Sequence, residues 1–105
     1  MTSLPENLTC RTFSGLLRTT FRVLLPGSPP LPLELTEVTE HSSSPQVESF
    51  SLIFRGPLAP VLPQQIHKVE HDKLGGFDLF LVPVGPDKAG MCYQAVFNRL
   101  RKHPE

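Results

Sequence analysis

The residues best suited to chemistry in this chain are its histidines, its two cysteines and a few carboxylates. His67 and His71 stand four apart beside Glu70 and Asp72, a grouping from which a metal site could draw. On a strand, residues i and i+4 share a face but lie about 13 Å apart at ~3.3 Å per residue. That is too far for one ion, and neither a Cys pair nor an HExxH helix supplies more donors. The four therefore read as exposed polar residues at a turn. Cys92 could act as a nucleophile with a histidine folded beside it. Its neighbours Met91 and Tyr93 do nothing to lower a thiol pKa, so it reads as a small half-buried residue. Glu34, Glu37 and Glu40 could supply an acid–base pair, which needs two carboxylates about 5–10 Å apart in a cleft. Alternation instead puts Glu34 and Glu40 together on a solvent face. Gly75-Gly76 precedes a strand and not a helix, so it reads as a hairpin turn with positive φ, not a phosphate cradle. Arg55, followed by Gly56-Pro57, is the one charged residue whose position looks fixed. Glu48 or Asp78 across a sheet, or a carboxylate on another protein, could pair with it. No residue is assigned a catalytic, cofactor-binding or metal-ligating role, and no cofactor is called for.

The elements that must position these residues are mostly strands. Phe13, Leu16 and Leu17 fall at i, i+3 and i+4, one face of a short helix that Thr12 or Ser14 could cap. Thr20 to Leu25 is rich in β-branched and apolar residues and stops at Pro26-Gly27. Pro29, Pro30 and Pro32 keep the next stretch extended before a strand over Leu33–Glu40, where Val38 breaks the alternation and predicts a bulge. His41 to Pro45 is a polar loop. Glu48 to Arg55 alternates most clearly, with Phe50, Leu52 and Phe54 on one face. Gln65 to Glu70 alternates too weakly to name an inner face. Phe77 to Val84 is apolar on both faces, which predicts a strand covered on both sides, with Pro83 marking an edge or bulge. Met91 to Asn98 closes the series, and Arg99 to His103 reads as a frayed basic tail. Six strands joined by short turns predict a mostly β fold. An antiparallel meander closed into a small six-stranded barrel is preferred over a small sandwich, with one short N-terminal helical segment.

Length and charge narrow the function classes. A chain of 105 residues fits a single β domain spanning 1–105. Twelve prolines and seven glycines punctuate a fold without reaching the ~25–30% that marks low complexity. Lys plus Arg equals Asp plus Glu, ten each, so nothing drives the chain electrostatically toward nucleic acid or anionic lipid. Two scattered cysteines make no disulfide framework and are expected as reduced thiols. The N-terminus lacks the basic start and apolar run of a signal peptide, and no window approaches ~18 apolar residues. The expected location is the cytoplasm.

The series FSLIFRGP (50–57), LPQ (62–64), LGGFDLFLVPVG (74–85) and YQAVFNR (93–99) resembles a family of small, uncharacterised bacterial β domains of unknown function. FSGLLRTTFRV (13–23) and LPLELTEV (31–38) fit the same pattern. The resemblance implies a β scaffold without an assigned activity. Some members look as though they are encoded beside phage-tail-like collar proteins, which implies an assembly role.

Three functions follow. The first is a structural or protein-interaction module with a protein partner or a homo-oligomer. The second is a small-molecule-binding barrel, with the phenylalanines lining a cavity. The third is an enzyme, which would need a cleft gathering His67, His71, Glu70 or Cys92.

Overall fold

The computed structural model describes residues 9–42 and 47–100. It contains one helix, α1 (Cys10–Ser14), and six strands: β1 (Thr20–Val23), β2 (Leu31–Ser42), β3 (Val47–Gly56), β4 (Gln65–His71), β5 (Gly75–Pro86) and β6 (Met91–Leu100). The strands form a closed antiparallel barrel in the order β1-β2-β3-β6-β5-β4, with β4 returning to β1. Among the described residues, closure leaves no strand at an edge.

The order is not the single meander that the short turns suggested. It is two three-stranded meanders, β1-β2-β3 and β4-β5-β6, joined through the β3–β6 and β1–β4 pairs. The reason lies in the connection 57–64. It is long enough to carry the chain from β3 across one end of the barrel to β4, so those two strands lie on opposite walls.

Alternation sets the inward face of each strand. Phe21 and Val23, Leu31, Leu33 and Leu35, Phe50, Leu52 and Phe54 all point inward and are buried. Val69, Phe77, Leu79, Leu81, Tyr93, Ala95 and Phe97 complete the lining. The interior of a small barrel is filled by side chains in this way. The bulge predicted from Val38 is present: the β2–β3 register shifts between Leu35 and Glu37. Thr36, the extra residue, donates its hydroxyl to the Ile53 carbonyl at 3.2 Å. β2 is longer than expected. It begins at Leu31 and takes in Pro32 opposite Arg22.

The two ends of the barrel are closed differently. At one end α1 inserts Phe13, which is fully buried and has ring centroids of Phe21, Phe50, Phe77 and Phe97 within 6.0–6.4 Å. The cap of α1 is Thr9, not Thr12 or Ser14. Thr9 and Thr12 exchange side-chain to backbone hydrogen bonds in a capping box. Leu16 is buried as the helical spacing predicts, but Leu17 is 40% exposed, because the helix ends at Ser14 and the turn rotates Leu17 outward. At the other end the connection 57–64 buries Leu62 in the core.

Two further expectations change. β5 is not covered on both faces: Phe77, Leu79 and Leu81 are buried, whereas Phe80 and Val84 are 41% and 51% exposed. A single-layer barrel has nothing to lay over its outer surface. Pro83 does mark a bulge, with the β5–β6 register shifting between Pro83 and Gly85. Arg99 and Leu100 are not a frayed tail but the end of β6, paired with Glu48 and Val47. The remainder of that basic tail, residues 101–103, and loop positions 43–45 lie outside the described residues. No helix among the described residues is long and apolar enough to cross a membrane.

Candidate functional site

The chemistry-bearing residues occupy separate stations around the barrel. His67 and His71 both point inward from β4 and are buried, 5% and 4% exposed, not exposed at a turn as the sequence suggested. The weak alternation of β4 hid this, because histidines occupy inward positions that apolar residues hold elsewhere. The two rings serve different ends of the strand. His67 Nε2 donates to the Pro63 carbonyl at 2.9 Å, holding the crossing connection. His71 Nδ1 accepts the backbone N–H of Lys73 at 3.0 Å. That leaves the proton of the neutral ring on Nε2, which donates to Thr19 Oγ1 at 3.0 Å. Thr19 in turn donates to the Leu16 carbonyl at 2.6 Å. His71 also lies against Phe21, centroid to centroid 4.4 Å. Burial lowers its pKa below the ordinary 6.5. The chain of bonds ties the turn after α1 to the β4–β5 hairpin.

Glu70 and Asp72 do not join these histidines. They lie outside the barrel, where Arg22 Nε meets Glu70 Oε1 at 3.2 Å and Arg22 Nη2 meets Asp72 Oδ1 at 2.9 Å.

Arg55 is held in place as expected, but by Asp87 and not by Glu48 or Asp78. Its Nε and Nη2 donate to Asp87 Oδ2 at 3.0 and 2.7 Å. Asp87 Oδ1 accepts the N–H groups of Ala89 and Gly90 at 2.8 and 2.9 Å. The Arg55 bonds first, and then the Ala89 N–H, pull the Asp87 carboxyl down to about 2. It is an acceptor that stays charged, unsuited to proton transfer near neutral pH. Cys92 Sγ donates to Asp87 Oδ2 at 3.4 Å. Burial, followed by that bond, pushes its thiol up. A thiol shifted that way is less nucleophilic at neutral pH, not more. The turn at Asp87 was legible, since aspartate commonly bonds the backbone two residues on. Its reach to Arg55 was not, because the hairpin folds it across β6 onto β3.

Cys10 and Glu48 form a fourth station beside α1. Glu48 is only 5% exposed, and its Oε2 accepts the Cys10 N–H at 3.0 Å. Burial, and then the negative charge of Glu40, pushes the Cys10 thiol up. These residues, with Thr9, Arg11 and Ser14, line a surface depression of about 490 Å³. Sequence reasoning missed it. A carboxylate at the head of an alternating strand reads as solvated until the helix lands on it. Both cysteines are free thiols. Among the described residues no group of three or more His, Cys, Asp or Glu is placed to hold a metal ion.

The remaining feature is the outer wall. Ile66 and Phe80 face each other in the β4–β5 ladder on the outside of the barrel, 38% and 41% exposed. Leu24 and Val96 are also exposed.

Residues 8–97 match the model of a family described as a domain of unknown function (DUF6916). No curated protein and no solved structure matches the chain.

Proposed function

The chain belongs to this domain family of unknown function, and from that premise we propose that it is a non-enzymatic structural or protein-interaction module that docks through its outer surface. The observation that carries the reading is the contrast between interior and exterior. The interior is filled by phenylalanine, leucine and tyrosine, with Phe13 in one end and Leu62 in the other. Large apolar side chains nevertheless remain on the outside, Phe80 and Ile66 among them. Apolar patches on the outside of a small fold commonly mark contact sites. The polar stations support the same reading, since each ties one element of the barrel to another. The sequence resemblance to domains encoded beside tail-collar proteins adds a class of assembly, a phage-tail-like particle. The expected setting is the cytoplasm.

The alternative is a small-molecule-binding barrel. With the interior filled by side chains, a small molecule would lodge in the open depression beside α1, lined by Thr9, Cys10, Arg11, Ser14, Glu40 and Glu48.

The test is capture of proteins from native lysate on the tagged full chain, with light scattering of the purified chain and a thermal-shift screen against small metabolites. A stoichiometric protein partner or a defined oligomer is expected. A monomer that retains no protein and is stabilised by a small molecule would overturn the reading in favour of the alternative.

A further inference from the structure

We propose that α1 is an acid-released lid on the phenylalanine-lined end of the barrel and that His71 is its latch. The inference stands apart from the interaction-module reading, since it concerns the fold whatever the barrel docks on. α1 enters the interior through Phe13, its buried residue, which meets the rings of Phe21, Phe50, Phe77 and Phe97. Its link to the barrel is the short stretch 15–19. Arg18 holds a positive φ of 70° there, a conformation that disfavours the closed link for an L-residue. Holding the link closed therefore falls to hydrogen bonds, and these converge on Thr19. The Thr19 N–H and hydroxyl both donate to the Leu16 carbonyl, at 3.1 and 2.6 Å. The Thr19 carbonyl accepts the Leu35 N–H at 3.1 Å. Thr19 Oγ1 accepts the proton of His71 Nε2 at 3.0 Å, which fastens the link to the β4–β5 hairpin.

The latch closes only with a neutral ring. His71 Nδ1 accepts the Lys73 N–H at 3.0 Å, so a second ring proton would point at that N–H. The ring is buried and lies against Phe21, and its partner across the β4–β5 ladder is Gly75, which carries no charge. The charged groups around it are Asp72 and Lys73 on its own hairpin, Glu70 beside it on β4, Arg22 on β1 and the exposed Arg18 on the link. Asp72 favours a charged ring, whereas Arg22 and Lys73 oppose it. Asp72 and Glu70 are both held by Arg22 outside the barrel. An imidazolium must therefore turn out toward Asp72 and water, and in turning it leaves Thr19. Opening restores the ordinary value of 6.5 to the ring. Below that pH the open share grows by at most about tenfold per pH unit, until the lowered folded value is passed.

Hydrogen exchange of the full chain tests it, corrected for the intrinsic pH dependence of exchange and followed from neutral pH down to the pH at which the folded His71 ring titrates by NMR. The amides of Phe13, Leu16 and Arg18 are the reporters, since each is hydrogen-bonded in the lid or its link. Their exchange is expected to quicken below pH 6.5 by up to about tenfold per pH unit, ahead of the amides of β6. The rise is expected to level off where the His71 ring titrates, a comparison made within the wild-type chain. His71→Gln, which takes up no proton, is expected to flatten the profile. His67→Gln, toward the other end of β4, is expected to keep it. Circular dichroism confirms that each variant is folded; the wild-type comparison decides if His71→Gln is not. Reporters that do not quicken, a rise shared equally by the β6 amides, a profile that ignores the His71 titration, or a folded His71→Gln with the wild-type profile overturns the proposal.

Discussion

The backbone N–H of Leu62 donates to the phenol oxygen of Tyr93 across 2.9 Å, inside the end of the barrel that the β3–β4 connection crosses. Tyr93 is fully buried and Leu62 is 3% exposed, so water does not replace the bond when it is lost. Tyr93→Phe keeps the ring and orphans the Leu62 N–H. The expected loss of stability is about 1–3 kcal/mol, the desolvation cost of an unpaired buried donor. Urea unfolding measures it; a midpoint unchanged from wild type would show that the connection is not held by this bond.

Phe13 plugs the opposite end, so removing it opens a cavity among four other phenylalanines. Phe13→Ala is expected to cost about 3–5 kcal/mol. Phe13→Leu, which refills much of the volume, is expected to recover a large part of that loss. Thermal melts of the two variants distinguish a plug from a loosely laid helix, for which both changes would be mild.

Acid should loosen the turn between α1 and β1. His71 has a pKa below 6.5 in the folded barrel because burial penalises its charged form. The unfolded chain therefore binds the extra proton first. The His71 contribution is fully present above pH 6.5 and is lost as pH falls from there through the lowered folded value. Protonation would also put a proton on Nδ1, where the Lys73 N–H now donates. Stability measured against pH is expected to fall more steeply in wild type than in His71→Gln over that window. Parallel slopes would assign the acid sensitivity to other groups.

Gly90 allows the β5–β6 turn to close on the end of β3. A Cβ at this position would run into the Gly56 carbonyl oxygen and come within 3.3 Å of Arg55 Cγ. Backbone atoms cannot swing aside as a side chain can. Gly90→Ala is expected to cost about 1–3 kcal/mol, the usual range for overpacking, and to weaken the Arg55–Asp87 pair that the same turn presents.

Arg18 carries a positive φ of 70° between α1 and β1, a left-handed conformation that costs an L-residue roughly 1–2 kcal/mol. Glycine removes that cost but loses more backbone entropy on folding, about 0.5–1 kcal/mol. Arg18→Gly is therefore expected to raise stability by about 0.5–1 kcal/mol. A loss in calorimetry would mean that the Arg18 side chain contributes more than its exposed position suggests.

The sequence by itself determined the strands, because alternation at Phe50, Leu52 and Phe54, or at Tyr93, Ala95 and Phe97, reports a half-buried pleated surface whatever lies beyond it. It also determined the breaks: Pro26-Gly27, the bulge announced by Val38, and the turn through Asp87 depend on local backbone chemistry. Only the tertiary structure decided which strands became neighbours, since no local pattern reports that residues 57–64 cross the barrel mouth and set β3 opposite β4. The same crossing joined Leu62 to Tyr93, the hairpin fold joined Asp87 to Arg55, and the landing of α1 buried Glu48. Tertiary structure also decided between core and surface where the pattern was ambiguous. His67 and His71 went inward because their ring nitrogens found partners there. Phe80 stayed outside because a closed single sheet has an inner face to fill and nothing to cover its outer one.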